Sequence, residues 1–328
     1  MKKNLKKYDL TQCAFYKCQG KKRLEQLLLL KEGELKQLQG HIANSYHTFA
    51  IDKKHNAKSS VVEKRQITAP NQKLKTVQSR ILKLLQRVIR PEWLISGEKG
   101  KCYLDNGKAH CLCRYALTMD IKQFYNNCKR DPVYRFFKND LKTSPDVAAL
   151  LTDIITYEGG IPTGCPTSQI IAFYAYQAMF TEIEDVAHSF GCKFTLYVDD
   201  MTFSSVTPFD PNCLSRRVDR ILRKYGHKPK YSKVKYYSKQ LPKLITGTIV
   251  TPDNRLDIPN SLQRKIYDNF QEIKGLQGLS CVSLEDERHL LQLKGQIQSA
   301  RNIDSSRFPE VSRIVSEIDK SVHTEGKR

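Results

Sequence analysis

Acidic residues are scarce in this chain of 328 residues, where 34 Asp and Glu stand against 55 Lys and Arg and leave a formal charge of +21. A surplus of that size implies a polyanionic partner, because each phosphate neutralised by a cation releases counterions. Nucleic acid is the first choice and an anionic membrane surface the second. Long apolar runs are lacking too. The longest all-aliphatic block in the N-terminal third is Leu27 to Leu30, far short of the roughly 20 residues that span a bilayer. The basic start, Met1 to Lys7, is followed by no apolar signal-peptide core, so the expectation is a cytoplasmic protein with no membrane partner. Internal repeats and low-complexity tracts are also missing. A hydrophobic content of 40% is ordinary for a globular chain and argues against global disorder.

The ten cysteines are scattered through a chain too large to need disulfide staples, which favours reduced thiols. Their tightest cluster, His110, Cys111 and Cys113, lacks a second ligand pair at finger-like spacing, and Cys111 and Cys113 alternate as a strand would. Zinc is therefore disfavoured.

Periodicity divides the rest. The first 60 residues read as short basic helices around Leu24, Leu27, Leu28, Leu35 and Leu38, followed by an extended segment from Lys64 to Pro70. Leu74, Val77, Ile81, Leu84, Leu85 and Val88 fall on one face of a helix that Pro91 ends. Tyr115, Leu117 and Met119 alternate as a strand that closes on Asp120. The Gly/Pro cluster from Gly159 to Ser168 must be a loop, and an apolar helix is expected from there to about His188. Strands over 193–198 and 201–205 then leave Asp199-Asp200 at a hairpin tip. From Ile221 to Lys243 there are eight Lys and Arg and no acid, interleaved with Tyr225, Tyr231, Tyr236 and Tyr237. Cations and stacking faces together suit single-stranded nucleic acid, which makes Lys230, Lys235 and Tyr236 candidate RNA contacts. The last 75 or so residues read as helical.

Three carboxylates carry the chemistry. If two neighbouring central strands bring Asp120 together with Asp199 and Asp200, the charges repel unless a cation neutralises them. Magnesium does so while keeping positions open for substrate phosphates. An Asp-Asp pair by itself is more often an ordinary polar turn, so the surrounding residues must decide.

Those surroundings resemble the reverse transcriptases. Tyr197-Val198-Asp199-Asp200 is similar to their YxDD box, and Leu117 to Tyr125 resembles their first catalytic motif around Asp120. The loop from Gly160 to Ser168 resembles the motif that lies against the nascent base pair, with Thr163 where many members have Gln and Gln169 in place of a common proline. Lys64-Arg65 before Ile67 and Pro70 resembles the triphosphate grip, and Gly226 to Lys233 the next motif. The resemblance covers roughly residues 20 to 300, with the motifs in family order. It implies two Mg2+ ions held by Asp120, Asp199 and Asp200, with the Ile121 backbone facing the nucleotide. Lys64, Arg65, Thr163 and Gly164 would bind the dNTP, Tyr125 would exclude a ribose 2′-hydroxyl, and Lys233 would neutralise or protonate the leaving pyrophosphate.

Two further boxes resemble the retron branch. Asn106-Gly107-Lys108-Ala109-His110 is similar to its NAxxH box, with Gly for Ala, and Ile245-Thr246-Gly247 to its VTG box, with Ile for Val. Asn106, His110, Ile245, Thr246 and Gly247 thereby become candidate RNA-binding residues. The branch implies a cognate structured noncoding RNA, priming from a guanosine 2′-hydroxyl, a branched msDNA product, and antiphage defence beside an effector protein. The implied fold is α+β, a right hand with fingers over 1–112 and a return over 131–157, a palm of antiparallel sheet backed by helices within 113–250, and a helical thumb over 251–328. A group II intron-like enzyme without a retron RNA, and an RNA-binding scaffold with a vestigial site, are the competing readings.

Overall fold

The computed structural model describes residues 6–52, 64–276 and 282–324. Its centre is a strand in which Ala116, Leu117, Met119 and Asp120 are buried while Tyr115 and Thr118 are partly exposed. This is β3 of the chain. In order, the elements are α1 (Lys21–Leu28), α2 (Glu34–His41), β1 (Tyr46–Asp52), β2 (Lys64–Pro70), α3 (Gln72–Leu85), α4 (Tyr103–Ala109), β3 (Tyr115–Asp120), α5 (Phe124–Asn127), α6 (Arg130–Arg135) and α7 (Pro145–Ile155). After them come α8 (Ser168–Ala175), α9 (Gln177–Ser189), β4 (Lys193–Tyr197), β5 (Asp200–Ser205), α10 (Pro211–Lys224), β6 (Lys235–Tyr237), β7 (Lys243–Ile245), β8 (Thr248–Val250), β9 (Leu256–Asp257), α11 (Asn260–Ile273), α12 (Leu284–Ile303) and α13 (Pro309–Thr324).

Local chemistry sets where many of these begin. The Asn71 side chain accepts the Leu74 N–H at 3.0 Å and starts α3, and Asp210 does the same for Asn212 and Cys213 ahead of Pro211 in α10. A Ser283–Asp286 capping box opens α12.

Four strands form the central sheet in the order β4-β5-β3-β6, all antiparallel. The β3–β5 register sets Tyr115 opposite Ser205 and Asp120 opposite Asp200. A β1–β2 hairpin stands apart from it, and β7, β8 and β9 make a third small sheet. One apolar core runs from Cys13 to Leu222 and includes Phe136, Phe137, Phe180 and Phe203, while α11, α12 and α13 enclose a second core of their own around Ile266, Ile273, Leu293 and Ile318.

Four expectations need correction. Residues 46–52 form a strand paired with β2, not part of a helical N-terminal region. It shows no buried-exposed alternation, since His47 to Ile51 are all exposed. The apolar helix after the Gly/Pro loop is two helices, α8 and α9, broken at Tyr176. Its hydroxyl donates to the Asn127 carbonyl at 3.2 Å and accepts the Lys129 N–H at 3.0 Å, which ties that residue to the α5–α6 junction. Cys111 and Cys113 lie in the turn before β3 and not in a strand. The strand ending at 198 stops at Tyr197 because Val198 turns to φ +61°.

His227 packs edge-on against Tyr176 with ring centroids 4.6 Å apart and lies 5.3 Å from the Phe124 ring, buried, with neither ring nitrogen hydrogen-bonded. Burial pushes its pKa down from 6.5 to about 4. A base whose folded pKa is depressed costs nothing above its ordinary pKa and costs progressively more as pH falls from 6.5 toward 4. His227→Phe, which also removes two unpartnered nitrogens, is expected to raise the melting temperature at pH 7 and to widen that margin at pH 5. Thermal melts at the two pH values check it, and parallel pH profiles for wild type and variant would count against it.

Candidate active site

The site begins with a ladder. Because Asp120 is the last residue of β3 and pairs with Asp200, the first of β5, the register alone sets two carboxylate residues side by side. The β4–β5 hairpin adds the third, since Tyr197 pairs with Asp200 across a two-residue turn of Val198 and Asp199. Such tight hairpins need positive φ, which favours Gly. Here a β-branched Val198 takes it, a conformation that costs about 1–2 kcal/mol for an L-residue.

The backbone around Asp120 is tied on both sides. The Ile121 N–H donates to the Asp199 carbonyl at 3.1 Å, the Lys230 N–H to the Asp120 carbonyl at 2.7 Å, and the Lys122 N–H to the Lys228 carbonyl at 2.9 Å. Burial pushes the Asp200 pKa up from 3.8 to about 6, and the neighbouring Asp199 and Asp120 charges push the same way. Lys233 answers that crowding, with Nζ 2.5 Å from Asp120 Oδ2. Partial burial works against the ammonium, but the three carboxylates outweigh it and hold its pKa above the ordinary lysine value.

An open cleft of about 870 Å3 lies over this cluster. Lys64, Ile121, Tyr125, Thr163, Lys230, Lys233 and Thr246 line it together with the three aspartates. Gly164 stands just behind, its N–H donating to the Thr68 carbonyl at 2.9 Å, where an added Cβ would come within 2.6 Å of that oxygen. The loop thus rests on β2 at a position that only glycine fits. Arg65 pairs with Ile51 in β2, and its side chain lies outside the described residues. Gln66, Lys122 and Asn126 also line the cleft. The sequence reading passed over them, although the strand alternation of Gln66 with Lys64 was a usable signal.

A second cavity, of about 270 Å3, opens on the other side of Asp120 and Asp200, toward Lys235, Tyr237, Thr246 and Gly247. Tyr236 is not brought to either cavity, because it alternates to the opposite face of β6 and meets the Phe209 ring edge-on at 5.7 Å.

Three candidate RNA contacts must be corrected. Asn106, His110 and Ile245 are fully buried, so their side chains present no surface to a ligand. Asn106 Nδ2 donates to Thr246 Oγ1 at 2.8 Å, which joins the two boxes to each other. Gly107 lets α4 approach so closely that a Cβ there would come within 2.4 Å of Thr248 Oγ1. His110 bonds Ser204 Oγ at 2.5 Å through Nδ1 and Thr195 Oγ1 at 2.7 Å through Nε2. Both ring nitrogens are thereby engaged with hydroxyls.

The sequence model for "Reverse transcriptase (RNA-dependent DNA polymerase)" matches residues 51–250, which contain the entire cluster. The chain belongs to the reverse transcriptase family. Among the relatives of this reverse transcriptase, the retron Se72 reverse transcriptase of Salmonella heidelberg is 29% identical over 165 residues, 50% of this chain and 42% of that one. The retron Ec86 reverse transcriptase of Escherichia coli is 27% identical over 161 residues, 49% of each chain. The retron Ec83 reverse transcriptase of the same species is 23% identical over 277 residues, 80% of this chain and 86% of that one. The chain thus spans about half the length of the first relatives it matches. No helix of the described residues is long and apolar enough to cross a membrane.

Reverse transcriptase domains generally depend on divalent metal. The donors of this reverse transcriptase fit a hard cation in kind, being carboxylate oxygens crowded until one of them is hard to ionise. Among the described residues no three His, Cys, Asp or Glu side chains stand as a ready-made ligand set, and the cation against Asp120 is Lys233.

An acid whose folded pKa is raised contributes its stability below the unfolded pKa and loses it as pH rises through the folded one. The window here is 3.8 to about 6. Asp200→Asn is therefore expected to raise the melting temperature by several degrees at pH 8 in chelator, with the gain shrinking toward zero near pH 4. Equal gains at both pH values would contradict the crowding account.

Proposed function

We propose that this chain is an RNA-directed DNA polymerase of the retron kind, which copies a cognate structured noncoding RNA into branched msDNA from a guanosine 2′-hydroxyl. The observation that carries the reading is the β3–β5 register, which pairs Asp120 with Asp200 at the floor of an open cleft flanked by Lys64, Lys230 and Lys233.

In this reading the right hand consists of fingers over 1–112 with 131–157, a palm within 113–250 and a thumb over 251–328. The separate core of α11, α12 and α13 supports treating the last of these as a unit. Lys64 and Arg65, at the start of β2, hold the triphosphate of the dNTP as cations hold anions. Tyr125, half-buried beside the Phe124 ring, lies under the sugar and excludes a ribose 2′-hydroxyl. Thr163 lines the far side, and Gly164 keeps its loop against β2. Asp120, Asp199 and Asp200 would hold two Mg2+ ions, which when bound activate the attacking hydroxyl and neutralise charge on the pyrophosphate.

The priming hydroxyl attacks the α-phosphorus, the bond to the bridging oxygen breaks, and pyrophosphate leaves. Lys233, freed from Asp120, supplies charge or a proton to that leaving group. The RNA tracks along Lys230 and Lys235, and the Thr246–Gly247 turn meets it at the edge of the cleft. Asn106, His110 and Ile245 act from within, by fixing that turn and the sheet beneath it. The family resemblance extends the proposal to antiphage defence with an effector protein in the cytoplasm.

The protein should be expressed with its native flanking DNA, purified, and its bound nucleic acid extracted and treated with RNase. A discrete single-stranded DNA with a debranching-sensitive 2′ linkage is expected, and it should vanish in Asp199→Ala/Asp200→Ala. A linear product on ordinary primers would favour an intron-like enzyme. Inactivity of the wild type on added RNA template and DNA primer would leave an RNA-binding scaffold.

A further inference from the structure

The segment between α3 and α4 supports the catalytic turn from behind. It meets β4 through a single parallel bridge at Leu94 and Leu196, in which the Leu196 N–H donates to the Trp93 carbonyl at 2.9 Å and the Ile95 N–H donates to the Leu196 carbonyl at 3.0 Å. One step further the pattern changes, and the Val198 N–H donates to Ser96 Oγ at 2.8 Å. A side chain takes over from the backbone at the point where Val198 leaves the extended conformation for φ +61°.

Ser96 is itself held. It is 4% exposed, and Gly97 follows it at φ +72°, with Gln169 Cδ 3.2 Å from where a Cβ would sit, so the chain turns away at once. Beyond the turn Glu98 is bound by buried Arg90 and, at 2.7 Å, by Lys7. Burial works to raise the Glu98 pKa, but these two cations hold the carboxyl below its ordinary value. On the other side the Trp93 ring packs against Phe173 and Phe194 at 5.9 and 5.3 Å. The short segment is therefore anchored at both ends while its middle reaches the turn. Between them lies a cavity of about 20 Å3, bordered by Ser96, Gln169, Phe124 and Val198. It holds a water at most. The Ser96 hydroxyl bond thus joins the hairpin pairing and the Ile121–Asp199 backbone bond in fixing the turn.

We propose that Ser96 is a positioning residue for the catalytic carboxylates: its hydroxyl holds Val198 in the left-handed conformation and so sets the direction in which Asp199 and Asp200 leave the turn. The inference rests on the polymerase reading above. Neither the triphosphate nor the template need touch Ser96. Its effect belongs to the geometry of the reacting centre, where small misplacements cost large factors in rate.

The test compares wild type, Ser96→Ala, Ser96→Thr, Val198→Gly and the Ser96→Ala/Val198→Gly double variant. Each is assayed for kcat and for KM of dNTP on an RNA template with a DNA primer, and for Mn2+ affinity of the chelator-treated full chain by electron paramagnetic resonance. Ser96→Ala should lower kcat roughly tenfold or more with KM little changed, and weaken Mn2+ binding. Ser96→Thr, which keeps the hydroxyl, should recover both. The loss caused by Ser96→Ala should shrink in the Val198→Gly background, because glycine adopts positive φ without the hydroxyl's help.

An active enzyme in which Ser96→Ala leaves kcat and Mn2+ affinity within twofold of the parent overturns the proposal, as does an equal penalty in both backgrounds. A parent protein that makes no DNA overturns the polymerase reading instead. In that case the Mn2+ measurements still decide the role of Ser96, through loss in Ser96→Ala and recovery in Ser96→Thr.

Discussion

The structure is organised around a repulsion. Three carboxylate residues are gathered by strand register at one end of a sheet, and the electrostatic cost is visible in Asp200, whose pKa is pushed up to about 6 by burial and by its neighbours. The fold gains nothing in stability from that arrangement, so the surrounding elements must hold it in place. They do so by backbone. Residues 120–122 are tied on one edge to Asp199 and on the other to Lys228 and Lys230. The Lys233 ammonium sets a cation against Asp120. Elsewhere in the molecule cations are plentiful, and the +21 charge suits a cleft made to receive phosphates.

The same logic explains the unusual backbone. Val198 tolerates positive φ because the hairpin closes on both sides of it and the Ser96 hydroxyl takes its N–H. Gly164 and Gly107 are each in contact too close for a side chain, one against β2 and the other against β8. These are the points where the Gly/Pro loop and the Asn106 box dock, and both dockings border the cleft or its neighbouring cavity. Left-handed backbone at Gln123, Val198 and Thr246 lies at the same cleft.

Much of this was legible in the residues. The alternation at Tyr115, Leu117 and Met119, the Asp199-Asp200 hairpin and the stripe on α3 all express a local period, and local periods survive in one dimension. What was hidden is non-local. The strand at 46–52 is exposed on both faces and is held mainly by its ladder to β2, so it carries no amphipathic signature. The break at Tyr176 depends on Asn127 and Lys129, far off in sequence. His110 looked like a binding residue because its segment resembles the NAxxH box. Its partners, Thr195 and Ser204, lie 85 and 94 residues away, and together they bury it. Ser96 had no motif at all to mark it.

The central claim, that the register of β3 and β5 builds a two-metal nucleotidyl-transfer site, is tested most directly by anomalous scattering from crystals grown with Mn2+ and a dNTP. The account predicts two Mn2+ peaks among Asp120, Asp199 and Asp200, with Lys233 moved off Asp120 toward the phosphates. A cluster that stays without Mn2+ while Lys233 remains on Asp120, or Mn2+ bound only elsewhere, would contradict it.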